Sequence, residues 1–276
     1  MEIFLGGLSS LFFGVADFLG GEGARRVSAA SIVLWAGVIS YPIILVAAFL
    51  VGGEAGIFDY LIGLIAGCSG AVGLVSLFAG LSRARAAIVA PVAAALSAVI
   101  PVLGGVIQGE RPSALAWTGV AIGIPAIVMC ASVEGGRRSH GGGFGYGALA
   151  GLGFGGFAVI IDQTSPDSSL LPLITSRAAT MLVMLLVGLA GGWALTGFRK
   201  MPRKLVVGNG LFDVSGTVTL LLALRQGSLA LAAVAASFYP AITVLMAKVL
   251  NAEHLRARQV VGIALTLVAL TLIALG

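Results

Sequence analysis

Charge is scarce in this chain, yet Asp213 stands in the stretch GNGLFDVSGTV (208–218). Leu205-Val206-Val207 precede it and Leu220-Leu221-Leu222 follow. An acid in such a run costs a few kcal/mol if the run is immersed in hydrocarbon, so it needs a partner or a use. Arg177, in the neighbouring apolar run, is the natural counter-charge. The first reading is a structural ion pair or a protonated, hydrogen-bonded Asp213; the second is a substrate or proton site in a water-filled cavity. In the second case Asp213 takes a cationic group or a coupling proton, and Arg177 balances it or takes a carboxylate. Asn209, Ser215, Thr217 and Thr219 add polarity. At helical spacing Asn209, Asp213 and Gly216 share one face, which suits a cavity lining or polar glue between helices.

Other candidates follow from residue type and depth. Trp35, Tyr41 and Tyr239 lie inside apolar runs, while Tyr60, Trp117, Tyr146 and Trp193 lie near run ends, where an aromatic belt belongs. The inner three either pack or stack on a substrate or cation. Pro91, Pro101 and Pro240 interrupt apolar runs. Such breaks are tolerated where the freed carbonyls line a cavity or find a partner, so these prolines are hinge candidates against a reading as simple kinks. Asp17 and Asp162, near run ends, are either solvated caps or gates. Glu110 and Glu253, beside Arg111 and His254, are either interfacial charge clusters or paired gates.

The elements that must position these residues are membrane helices. Of 276 residues, 59% are hydrophobic and only 10% charged, against about 25% charged in soluble domains. A hydrocarbon core of about 30 Å needs ~20 apolar residues of helix. Ten runs qualify, near 3–20, 28–51, 58–80, 86–108, 114–133, 143–162, 170–194, 205–224, 229–250 and 257–275. The expected fold class is therefore all-α integral membrane. The opening Met1-Glu2-Ile3 has no basic region, so the first run is expected to be a retained span.

Lysine and arginine divide unevenly between the gaps. Gaps after odd-numbered runs hold twelve, among them Arg25, Arg83, Arg138, Lys200 and Arg256; gaps after even-numbered runs hold Arg111 and Arg225. The positive-inside rule makes the odd gaps cytoplasmic and puts both termini outside. The net charge of +5 thus reads as orientation in a cell membrane, and nucleic acid is not an expected partner. Cys68 and Cys130 sit in apolar runs without metal or disulfide spacing. GLGFGG (151–156) fits a dinucleotide fingerprint but lies inside an apolar run with no strand before it. Gly147, Gly151 and Gly155 read instead as close helix packing. No Walker loop, HExxH, G-x-S-x-G or Cys/His cluster is present, so neither catalysis nor a cofactor or metal is expected.

Displacing the chain by 143 residues lays AAIVAPVAAALSAVIPVLGGVIQGE (86–110) on LALAAVAASFYPAITVLMAKVLNAE (229–253), with Glu110 on Glu253 and Gly119 on Gly262. LFFGVADFL (11–19) likewise resembles LGFGGFAVI (152–160). Five runs per half is an odd number, so the halves must point oppositely through the membrane, a hallmark of many secondary transporters. The expected architecture is ten transmembrane helices as two inverted five-helix repeats, residues 1–138 and 139–276. That organisation, with Gly109-Glu110-Arg111 after the fourth run and the segments GVADFLGG (14–21) and ASFYPAITVL (236–245), resembles the EamA-like family of the drug/metabolite transporter superfamily. The second copy departs from the acidic motif with Ala252-Glu253-His254.

The resemblance implies transport of amino acids, drug-like compounds or other metabolites, often as export. The reading is a secondary active transporter, an exporter or exchanger of small organic metabolites, working by alternating access, with proton coupling as an option. A passive channel is the alternative, followed by a membrane enzyme or an assembly subunit. No ring of charges or repeated filter sequence supports a channel.

Overall fold

The structure is a computed structural model that describes residues 2–107, 109, 112–131, 142–190, 195–226, 238–252 and 255–276. Ten α helices make up these residues: α1 Glu2–Ala24, α2 Ala29–Val51, α3 Ile57–Arg83, α4 Ala86–Ile107, α5 Ala114–Ala131, α6 Gly142–Ile161, α7 Leu171–Leu189, α8 Arg203–Gln226, α9 Tyr239–Leu250 and α10 Ala257–Leu275. No strand occurs among them. Seven are long and apolar enough to cross a membrane: α1, α2, α3, α4, α6, α7 and α10. The described apolar stretches of α5 and α9 are shorter. The protein is a multi-pass, all-helical membrane protein.

Lipid tails are as apolar as leucine, so burial alone does not hold such helices together; small residues and polar bonds do. Both are at work here. Helix α6 lies along α3 and α4. A Cβ at Gly151 would stand 2.8 Å from the Ala93 carbonyl, and one at Gly155 2.6 Å from Ile100 Cβ. The glycine steps of α6 therefore seat it on α4, and Gly153 abuts Gly73 of α3. Polar stitches join the same neighbours. Ser69 donates to the Gly153 carbonyl at 2.9 Å, Ser9 to Gly216 at 2.9 Å, and Thr180 to Gly67 at 2.9 Å. Helix α1 runs along α8, α3 along α7, and α5 along α10.

Tight packing is concentrated at one end of the bundle. Phe18 of α1, Ile32 of α2, Leu77 and Phe78 of α3, Val89 of α4 and Val206 of α8 are all buried together. This is the end where the Arg- and Lys-bearing gaps lie. There Arg25 pairs with Glu22 at 3.4 Å and donates to the Leu81 carbonyl at 3.5 Å, while Asn251 of α9 donates to Glu22 at 3.4 Å. The basic end is closed.

Helix α1 extends to Ala24, beyond the expected boundary at 20. Asp17 thus lies seven residues from the helix end, about 10 Å inside it at ~1.5 Å per residue. The sequence reading had set it close to an interface.

Candidate functional site

Above the packed end the helices part around a cavity of about 380 Å³ lined by α1, α2, α3, α6, α7 and α8, within the size range of small-molecule sites. Its lining extends to Phe157, near the end of α6, and Leu173, near the start of α7. The cavity therefore runs from mid-bundle toward the end opposite the basic one.

Arg177 and Asp213 meet on its wall. Arg177 Nη2 donates to Asp213 Oδ2 at 2.7 Å, and their side chains are 17% and 21% exposed. That residual exposure means the pair borders the cavity and is not sealed beneath it. The contact is end-on. One guanidinium nitrogen and one carboxylate oxygen are used, out of five N–H donors and two oxygens.

The rest of the wall is chiefly apolar, with Phe13, Leu74, Phe154 and Phe157. Two hydroxyls face it with their protons already committed. Thr217 donates to the Asp213 carbonyl at 3.0 Å, and Thr180 to Gly67 and Ser176. Ser176 also lines the wall. The free hydrogen-bonding capacity of the cavity is thus dominated by one cation and one anion.

Several expected site residues have other employment. Asn209 is buried and donates from Nδ2 to the Ala16 carbonyl at 2.7 Å. It shares a face with Asp213 as its spacing predicted, but it lies one turn closer to the packed end, where that face meets α1, and it is not among the residues lining the cavity. Trp35 donates from Nε1 to the Thr196 carbonyl at 2.9 Å, and its ring lies 5.1 Å from that of Phe198. It anchors the segment between α7 and α8 and does not line the cavity. Tyr41 is half-buried one turn from Ile44, a lining residue, without itself lining the cavity.

Tyr239 opens α9, and its hydroxyl reaches Ser97 of α4. It lies within electrostatic range of Asp17, which in turn senses Asp213. Pro91 and Pro101 are inside α4 as expected. Pro240 is the second residue of α9, where its missing N–H has no intrahelical partner to lose; it is not an interior break of the described helix. Asp162 lies just past α6 and is exposed. Glu110 and Glu253 lie outside the described residues.

Sequence reasoning missed Phe13, Phe154, Phe157, Ser176 and Thr180. A signal for the last two was available: Ser176, Arg177 and Thr180 form a polar face at helical spacing on an apolar helix.

Residues 142–275 match the family model described as EamA-like transporter family. Fourteen solved chains match the fold. One, described only as a crystal structure of a protein, has a TM-score of 0.64 at 14% identity, covering 98% of this chain and 96% of that one. At that identity the likeness concerns the fold alone. No curated protein sequence matches the chain. Residues 142–275, the second half of the chain, thus belong to the EamA-like transporter family.

Proposed function

We propose that the protein is a secondary active transporter in the cell membrane, an exporter or exchanger of small organic metabolites such as amino acids or drug-like compounds, working by alternating access. The observation that carries this reading is the Arg177–Asp213 pair bordering a chiefly apolar cavity that is closed at the basic end. With the odd gaps cytoplasmic, the cavity faces outward in this conformation.

The charge count of the wall selects among substrates. A singly charged ligand that displaced one member of the pair would leave the other unpaired in a poorly hydrated cavity, a cost of several kcal/mol. A zwitterion replaces both partners at once, with its carboxylate on Arg177 and its ammonium on Asp213. The phenylalanine wall then suits an apolar body on that zwitterion.

Two inverted halves, 1–138 and 139–276, supply the rocking. Helix pairing supports them: α3 lies on α6 as α1 lies on α8, and α4 lies on α6 as α1 lies on α9. These are the exchanges expected if α1–α5 correspond to α6–α10.

The test is a thermal-stability screen of purified protein against a metabolite library that includes zwitterionic, cationic and anionic compounds. A ligand at a hundred times its Kd raises native stability by about 2.7 kcal/mol. Zwitterions should stabilise the wild type and fail with Asp213→Asn and Arg177→Gln. Stabilisation by cations alone would overturn the zwitterion assignment. Equal stabilisation of wild type and both variants would move the site away from the pair.

A further inference from the structure

Asp213 has an ion-pair partner; among the described residues Asp17 has none. Among the described residues the ion pairs are Arg177–Asp213 and Arg25–Glu22, and none of the hydrogen bonds between them reaches the Asp17 carboxylate. Every element packed on α1 can be checked for a counter-charge. Helix α2 carries no charged residue, and those of α3, Asp59 and Arg83, stand near its two ends. Helix α8 presents Asp213, a like charge; its Arg203 and Lys204 are exposed in its first turn, and Arg225 stands near its other end. Helix α9 presents Tyr239, whose hydroxyl reaches Ser97; its Lys248 stands at about the level of Asp17 but is exposed on the outside of the bundle. Arg25, the nearest cation along α1, is two turns away and engaged by Glu22 and Leu81. The stretch 227–237 contains no charged residue. A second polar group on the same face of α1, Ser10 Oγ, is buried without a partner.

A bare carboxylate at this depth is expensive, and such acids mark ion or proton pathways. Its place in the fold fits that role. Asp17 lies on the closed side of Asp213, between the cavity and the Glu22–Arg25–Asn251 closure. Asp17 does not itself line the cavity; in the cycle inferred below it exchanges with one compartment through water entering from the cavity side and with the other when the basic end opens.

We propose that Asp17 carries the coupling proton, separately from the Arg177–Asp213 pair, an inference that rests on the transporter reading. The step is a single protonation. An O–H bond forms at the Asp17 carboxylate as a hydronium ion on the open side gives up a proton and becomes water. The same bond breaks, returning the proton to water, when the site faces the basic end. Neutral Asp17 relieves the repulsion from Asp213 and lets α1 shift against α8 and α9.

The experiment uses full-length protein in lipid nanodiscs, with carboxyl-13C aspartate and unlabelled glutamate, studied by infrared difference spectroscopy as pH is stepped. Phe157→Cys, in a background with Cys68 and Cys130 replaced, reports access to the cavity by its maleimide labelling rate. An Asp162→Cys control corrects for the thiol's own pH response. The expected result is a pH-dependent 13C carboxyl band that persists in Asp213→Asn and is lost in Asp17→Asn. In Asp17→Glu an unlabelled band should replace it. The labelling rate should change several-fold with pH when Asp17 is present and stay constant in Asp17→Asn. Should Asp17→Asn not fold, Asp17→Glu still decides the matter through the isotope shift. Wild-type and Asp17-variant spectra that coincide would overturn the proposal, as would titration without a change in labelling. Neither failure touches the transporter reading, which stands or falls on ligand stabilisation.

Discussion

Arg177 on α7 and Asp213 on α8 are joined by one 2.7 Å bond, and both residues line the cavity. The pair is consequently both a strut between two helices and the most polar feature of the wall.

Removing one member should cost more than removing both. Asp213→Leu or Arg177→Met alone leaves an unpaired charge and is expected to lower stability by about 2–3 kcal/mol, at the low end for buried pairs because the cavity hydrates it. The double variant should lose about 1 kcal/mol or less. Thermal unfolding in detergent measures all three. Additive losses would show that the two charges are not coupled.

Asn209 and Trp35 should behave as structural residues. Asn209→Ala removes the bond to Ala16 and should cost about 1 kcal/mol, typical of polar contacts between membrane helices. Trp35→Phe, which loses the bond to Thr196, should cost a similar amount. Ligand affinity, once a stabilising compound is in hand, should stay within about twofold for both. A tenfold loss in either would return that residue to the binding site.

Gly151 is a packing position. A valine there must displace the Ala93 carbonyl or Leu96 of α4, and overpacking of this kind costs about 1–3 kcal/mol. Gly145, with open space where its Cβ would go, is the control. Gly145→Ala should be neutral or slightly stabilising, since alanine favours the helix by about 1 kcal/mol. Unfolding midpoints of the two variants decide it.

Access should be one-sided. With native cysteines replaced, Phe157→Cys should react with a membrane-impermeant maleimide added from the side of the 162–170 segment. Ala87→Cys, fully buried at the packed end, should be protected from both sides. Rapid labelling of Ala87→Cys would show that the basic end is open in the membrane.

Much of the architecture was legible beforehand because membrane helices announce themselves by length and polarity. Nine of the ten expected runs coincide with their helices to within a few residues, and for the run at 229–250 the structure describes the helix from Tyr239 onward. The glycine steps of α6 were readable because only small residues allow backbones so close. The partnership of Arg177 with Asp213 was also readable, since two lone charges on consecutive antiparallel spans have few alternatives in lipid.

What the sequence by itself determined is the membrane class, the helix positions and the few side chains costly enough to require a purpose. Beyond the Arg177–Asp213 pair, tertiary structure alone decided which of them share a space. Asn209 and Asp213 are one helical turn apart on one face, and spacing treats them alike. Only the packing of α1 against α8 makes one a clamp on Ala16 and leaves the other beside a cavity. The phenylalanines at 13, 154 and 157 carry no signal in an apolar chain, because a lipid-facing and a cavity-facing phenylalanine obey the same hydropathy. The bare Asp17 emerged only once α1 was seen to continue to Ala24, since depth depends on where a helix stops, and that is set by the neighbours it packs against.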